Sequence, residues 1–89
     1  MNILCFGDSN TWGYKPDKTG RFNENIRWTA LLQKKLGPKY HIIEEGLCGR
    51  TTVFHDELRE GRRGLDMIGV TVEMHDPLDL VIIMLGTND

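Results

Sequence analysis

The sequence predicts an α/β fold built on a parallel sheet. Three short apolar runs carry the prediction: Ile3-Leu4-Cys5-Phe6, His41-Ile42-Ile43-Glu44, and Leu80-Val81-Ile82-Ile83-Met84-Leu85. The last is continuous, without period-two alternation, as expected of a strand covered on both faces. Helical patterns separate the runs, and the order strand, helix, strand, helix, strand calls for right-handed crossovers.

The first helix is expected before Gly37-Pro38, a strong stop. Asn25 serves as its N-cap, and Trp28, Leu31, Leu32 and Leu36 share its inward face. The second helix is expected from Leu65 to His75, with Leu65, Ile68 and Val72 inward. Gly69, Val70 and Val72 are poor helix formers, so packing must support it. Residues 10–24 and 50–64, rich in Gly, Asn, Asp and Arg, read as loops.

Composition narrows the functional classes. A length of 89 residues allows one small domain. With 11 basic and 13 acidic residues the net charge is −2, which argues against a nucleic-acid or anionic-membrane surface. No apolar run approaches the roughly 18–20 residues of a membrane span. The start, Met1-Asn2 followed at once by a strand, has no signal-peptide pattern. Cys5 and Cys48 lack metal-site spacing and read as reduced thiols of a cytoplasmic protein. No cofactor motif is present. A sheet this apolar needs helices on both faces, and two are available. The expectation is therefore a piece of a longer protein, or a surface buried in an assembly.

In an open parallel sheet the ligand site lies beyond the carboxyl ends of the strands. Those ends carry Gly7-Asp8-Ser9-Asn10, Gly46-Leu47-Cys48-Gly49-Arg50 and Gly86-Thr87-Asn88-Asp89. Ser9 is the only serine in the chain. Taken singly, each segment reads equally as structure: Asp8 and Ser9 as a turn with an N-cap, the glycines as positive-φ positions, Asn88 and Asp89 as a cap. Convergence at one end of one sheet changes the reading. A hydroxyl, a glycine N–H and a carboxamide are the parts of an acyl-transfer site.

Together, Ile3 to Ser9, Thr11-Trp12-Gly13, Arg27-Trp28-Thr29, Glu44-Glu45-Gly46-Leu47, Arg50-Thr51-Thr52 and Leu78 through Asp89 resemble the SGNH (GDSL-type) hydrolases, in particular their arylesterase/acyltransferase branch. The resemblance implies a three-layer α/β/α, flavodoxin-like parallel sheet with the first strand between the other two. Residues 1–89 would be one partial domain of it, with about three strands and two helices. It implies Ser9 as the nucleophile, with an oxyanion hole made by the N–H groups of Ser9 and Gly49 and the Asn88 side chain. Asp8 would hold the Ser9 loop, and Trp12 would border the substrate entrance. Short-chain or aryl esters are the implied substrates, acyl transfer to alcohols a further activity, and a homo-oligomer the implied assembly.

Two departures stand out. Asn10 follows the serine where the family commonly has leucine. More importantly, the family's Asp-x-x-His block is absent: no Asp or Glu stands three residues before His41, His55 or His75. Without a base, a serine hydroxyl is weakly nucleophilic, so the alternative expectation is a catalytically incomplete fragment, inactive by itself, or a non-enzymatic binding or assembly module. His41 and His75 are expected at the amino end of the sheet, with His75 at the negative end of its helix. His55 lies in a loop on the Ser9 side and is expected to be solvated. Tyr14 is a further aromatic beside the nucleophile. Arg59, Arg62 and Arg63, interleaved with Glu57 and Glu60, read as a solvated face rather than an anion site. His55-Asp56-Glu57 lacks metal-ligand spacing, and Met67 and Met74 read as packing residues.

Overall fold

The computed structural model describes residues 1–89. Its elements follow the order β1 (Asn2–Gly7), α1 (Ser9–Trp12), α2 (Trp28–Leu36), β2 (His41–Gly46), α3 (Gly64–Met74) and β3 (Leu80–Met84). The sheet is parallel in the order β2-β1-β3, so β1 is central and the winding reverses beside it. Ile3, Leu4, Cys5 and Phe6 of β1 are the chain's buried apolar residues. No helix is long and apolar enough to cross a membrane.

Register shows which face each helix covers. Cys5 pairs with Glu44 and Ile82, and Phe6 with Glu45 and Ile83. Successive strand residues point to opposite faces. Glu44 meets Arg27 and Thr29, at the start of α2: Arg27 Nη1 lies 3.1 Å from Oε1, and Thr29 Oγ1 donates to Oε2 at 2.5 Å. On the opposite face, Glu45 Oε1 lies 2.8 Å from Nε2 of His75, at the end of α3. The two longer helices therefore flank the sheet on opposite sides, giving three layers.

Several expectations need correction. Asn25 does not cap α2. It sits in a turn whose side-chain acceptor is Asn23, and α2 begins after Arg27, with no side-chain cap. Arg27 occupies the N-cap position, and its side chain, which has no acceptor, donates to Phe22 O and Glu44 instead. Leu31, predicted inward, is half exposed, and Thr29 is buried in its stead because Glu44 makes this a polar seam. Leu65 is also exposed, while Thr71 is buried on α3 and donates its hydroxyl to Met67 O. The loop expected at 10–24 begins with a helical turn, α1. His75 directs its ring to Glu45 rather than leaving it at its own helix end. On β3, which forms one edge of the sheet, Leu80, Ile83 and Met84 are exposed; the run predicted to be covered on both faces is covered in part.

Candidate active site

The site is assembled at the carboxyl edge of the sheet. β1 ends at Gly7, and the buried Asp8 caps α1 by accepting the Asn10 N–H on Oδ1 at 3.0 Å. Its carbonyl accepts the N–H groups of Thr11 and Trp12, so the turn carrying Ser9 is fixed on both sides. Ser9 is the first residue of that turn and is half-buried. Thr11 Oγ1 accepts from Trp28 Nε1 at 3.3 Å, anchoring α1 to α2. Gly46, closing β2, lets this turn lie directly on the strand end: a Cβ there would overlap the Trp12 backbone nitrogen.

Arg50 braces the strand ends from beneath. It is buried, and its Nη1 donates to Gly7 O at 3.1 Å and Glu45 O at 2.7 Å, joining β1 to β2. Its guanidinium stacks on Phe6, 3.9 Å from the ring centroid. Burial lowers its pKa, Glu45 opposes that shift, and Arg62 adds to it. Its carbonyl accepts Asn88 Nδ2 at 3.0 Å, which brings in the turn after β3. Asp89 holds the same turn, accepting the Thr52 N–H at 2.8 Å and the Thr52 hydroxyl at 2.5 Å.

Ser9, Gly49 and Asn88, named separately in the sequence, line one cleft of about 340 Å³ with Tyr14, Cys48 and Arg59. The Ser9 and Gly49 N–H groups donate to no protein acceptor, and the Ser9 hydroxyl makes no hydrogen bond. Buried backbone donors are almost always paired, so the free N–H of buried Gly49 marks a place for an incoming acceptor. The Asn88 amide gives one hydrogen to Arg50 O and keeps its second. A hydroxyl in the same cleft as three free donors suits attack on a carbonyl with the oxyanion received by those donors.

Trp12 is not among the residues lining this cleft. Arg21 covers its ring, 4.6 Å from the centroid, and donates to its carbonyl. Tyr14 stands at the cleft wall instead. His55 lines a neighbouring cleft of about 410 Å³ that shares Gly49, Arg59 and Asn88. His41 is exposed at the start of β2, and His75 is held by Glu45. None of the three is hydrogen-bonded to Ser9. Sequence reasoning gave no individual role to Arg50 or Arg59. Arg50 could have been suspected only as a charged residue between strand-end glycines and a buried turn.

The GDSL-like Lipase/Acylhydrolase family matches residues 5–89. A carbohydrate acetylesterase family member from Sinorhizobium meliloti is 46% identical, with a TM-score of 0.94, the match covering 99% of this chain and 42% of that one. The native aryl esterase of M. smegmatis is 48% identical, with a TM-score of 0.94, over 99% of this chain and 43% of the other. AlinE4, an SGNH-hydrolase family esterase, is 30% identical, with a TM-score of 0.76, over 99% and 41%. The chain thus spans less than half the length of these solved proteins. No curated protein sequence matches it.

Proposed function

Because the chain belongs to the GDSL-like lipase/acylhydrolase family, we propose that it carries the nucleophile and oxyanion hole of a serine carboxylester hydrolase. One observation carries the reading: the free N–H groups of Ser9 and Gly49 and the Asn88 amide surround one cleft with an unbonded serine hydroxyl. Ser9 Oγ attacks the ester carbonyl carbon, its proton passes to a base, and the carbonyl electrons move onto the oxygen facing the three donors. Collapse breaks the C–O bond to the alcohol, which leaves with a proton, and the acyl-Ser9 ester remains. Water then attacks that ester and releases the acid. An alcohol attacking in place of water makes the same site an acyltransferase.

The names of the acetylesterase and aryl esterase it resembles support short-chain or aryl esters as substrates. Residues 1–89 act in this proposal as one part of a single domain, and the base comes from outside them. The family resemblance supports a homo-oligomer, and the two free thiols fit a cytoplasmic setting.

The test is intact-mass spectrometry after exposure to a fluorophosphonate, with imidazole added as an external base. An adduct on Ser9 that is absent from Ser9→Ala is expected. The absence of an adduct, or equal labelling of the two proteins, overturns the assignment.

A further inference from the structure

Arg59, Arg62 and Arg63 belong to one loop, and the fold uses them differently. Arg62 Nε donates to Cys48 O at 3.1 Å and its Nη1 to Glu60 O at 2.8 Å. Arg63 Nε donates to Val53 O at 2.8 Å and its Nη1 to Asp66 Oδ1 at 2.6 Å. Both of these guanidiniums fix the loop. Arg59 is held through Nε alone, 3.3 Å from Asp56 Oδ2, while Asp56 Oδ1 accepts the N–H groups of Leu58 and Arg59. Its Nη1 and Nη2 have no partner in the protein. These nitrogens lie over Gly49, where a Cβ would run into them.

Arg59 is the only charged side chain lining the Ser9 cleft; Asp56 and Glu57 line the neighbouring one. Asp56 pairs with the guanidinium through Nε, and no carboxylate lines the cleft itself, so the Nη hydrogens are left for an incoming acceptor.

We propose that Arg59 is a specificity residue that selects esters bearing a carboxylate close to the scissile bond. One planar guanidinium with a free Nη edge matches one carboxylate in charge and in bidentate geometry. Asp56 holds the opposite edge and keeps the fork from collapsing onto the loop. The inference rests on Ser9 as the acyl-accepting group, which fixes where the ester carbonyl lies.

The test measures binding without chemistry. Isotope-labelled Ser9→Ala protein is titrated at low salt with monomethyl succinate and with dimethyl succinate, following the Gly49 and Asn88 amide signals. The monoester is expected to bind about fivefold or more tightly than the diester, a modest ratio because Arg59 is half exposed. Arg59→Gln, in the same background, brings the ratio to about one, and Arg59→Lys keeps part of it. Equal affinities for the two esters in the Arg59 protein overturn the proposal without recourse to a variant. A preference that survives Arg59→Gln overturns it as well. Failure of fluorophosphonate labelling would remove the esterase reading and leave this ratio unchanged, so the two failures are distinguishable.

Discussion

Asn88 Nδ2 donates to the Arg50 carbonyl at 3.0 Å, tying the turn after β3 to the turn after β2 across the end of β1. The bond orients the amide and leaves its second hydrogen for a ligand. In the proposed oxyanion hole, replacing Asn88 with alanine removes one of three donors, a loss typically worth about 2.7–4 kcal/mol in the transition state. Ser9 labelling by a fluorophosphonate should slow by about 10²-fold or more. Asn88→Asp should be as slow, since a carboxylate offers no hydrogen to an oxyanion and faces the Arg50 carbonyl as a second acceptor.

Arg50 is predicted to be a stability residue first. Its Nη1 serves the carbonyls of Gly7 and Glu45, and its plane covers Phe6. Arg50→Met keeps apolar bulk against the ring and abandons both carbonyls. Hydrogen bonds from a charged donor contribute about 1.5–3 kcal/mol each, so a loss of about 3 kcal/mol or more is expected in urea unfolding. Arg50→Lys should recover part of it through one carbonyl, since an ammonium cannot stack as a guanidinium does.

The strands were legible because their apolar runs are short and bounded by glycine, and because a parallel sheet directs ligands to the carboxyl ends of its strands. That Ser9, Gly49 and Asn88 line one cleft follows from that rule together with the family resemblance. Asn25 reads as a cap from its type alone, but its N–H is taken by the Asn23 side chain in an Asx turn, and α2 starts two residues later than that cap would place it, after Arg27, which bonds Glu44. Leu31 and Leu65 misled because a leucine at the right helical phase is inward only if something lies opposite. Thr29 takes that place on α2 by bonding Glu44. The arginines of the 59–63 stretch were unreadable individually: which guanidinium is free depends on carbonyls, such as Cys48 O and Val53 O, that the loop brings within reach.

Gly49→Ala tests the relation between Gly49 and Arg59. The residue has φ +83°, and an added Cβ meets the guanidinium. The left-handed conformation costs a non-glycine residue about 1–2 kcal/mol. The arginine end is flexible and can yield. The protein should remain folded with a lowered Tm, and the succinate monoester preference should fall as it does in Arg59→Gln. An unchanged preference would show that the guanidinium does not need this glycine.

The two thiols should differ sharply in reactivity. Cys5 is fully buried in β1, and burial, with the Glu44 charge added, pushes its pKa up to about 11. At pH 8 its thiolate fraction is only about 10⁻³, and the thiolate is the reactive form. Cys48 is half-buried and lines the Ser9 cleft. Iodoacetamide should modify Cys48 and spare Cys5 in the folded protein, as read by peptide mapping. Bulky reagents on Cys48 should also protect Ser9 from the fluorophosphonate, because both side chains share one cleft.

Asp89 should make the Asn88 turn sensitive to acid. The Thr52 hydroxyl, and then the Thr52 N–H, hold its carboxyl below the usual carboxylate range, against a small opposing effect of burial. A folded pKa below the unfolded one means that the ionised contact is fully present above the ordinary value of about 3.9. It is lost as the pH falls through the depressed folded value. Thr52→Val removes the larger cause and keeps the backbone donor, so the Asp89 carboxyl should titrate closer to the ordinary value in carbon-detected NMR, while Thr52→Ser should titrate like the parent. Because Asn88 is adjacent in the chain, its side-chain amide signal should follow the same midpoint in each protein. An Asn88 signal that stays constant while Asp89 titrates would show that the Arg50 carbonyl alone is enough to hold the amide in place.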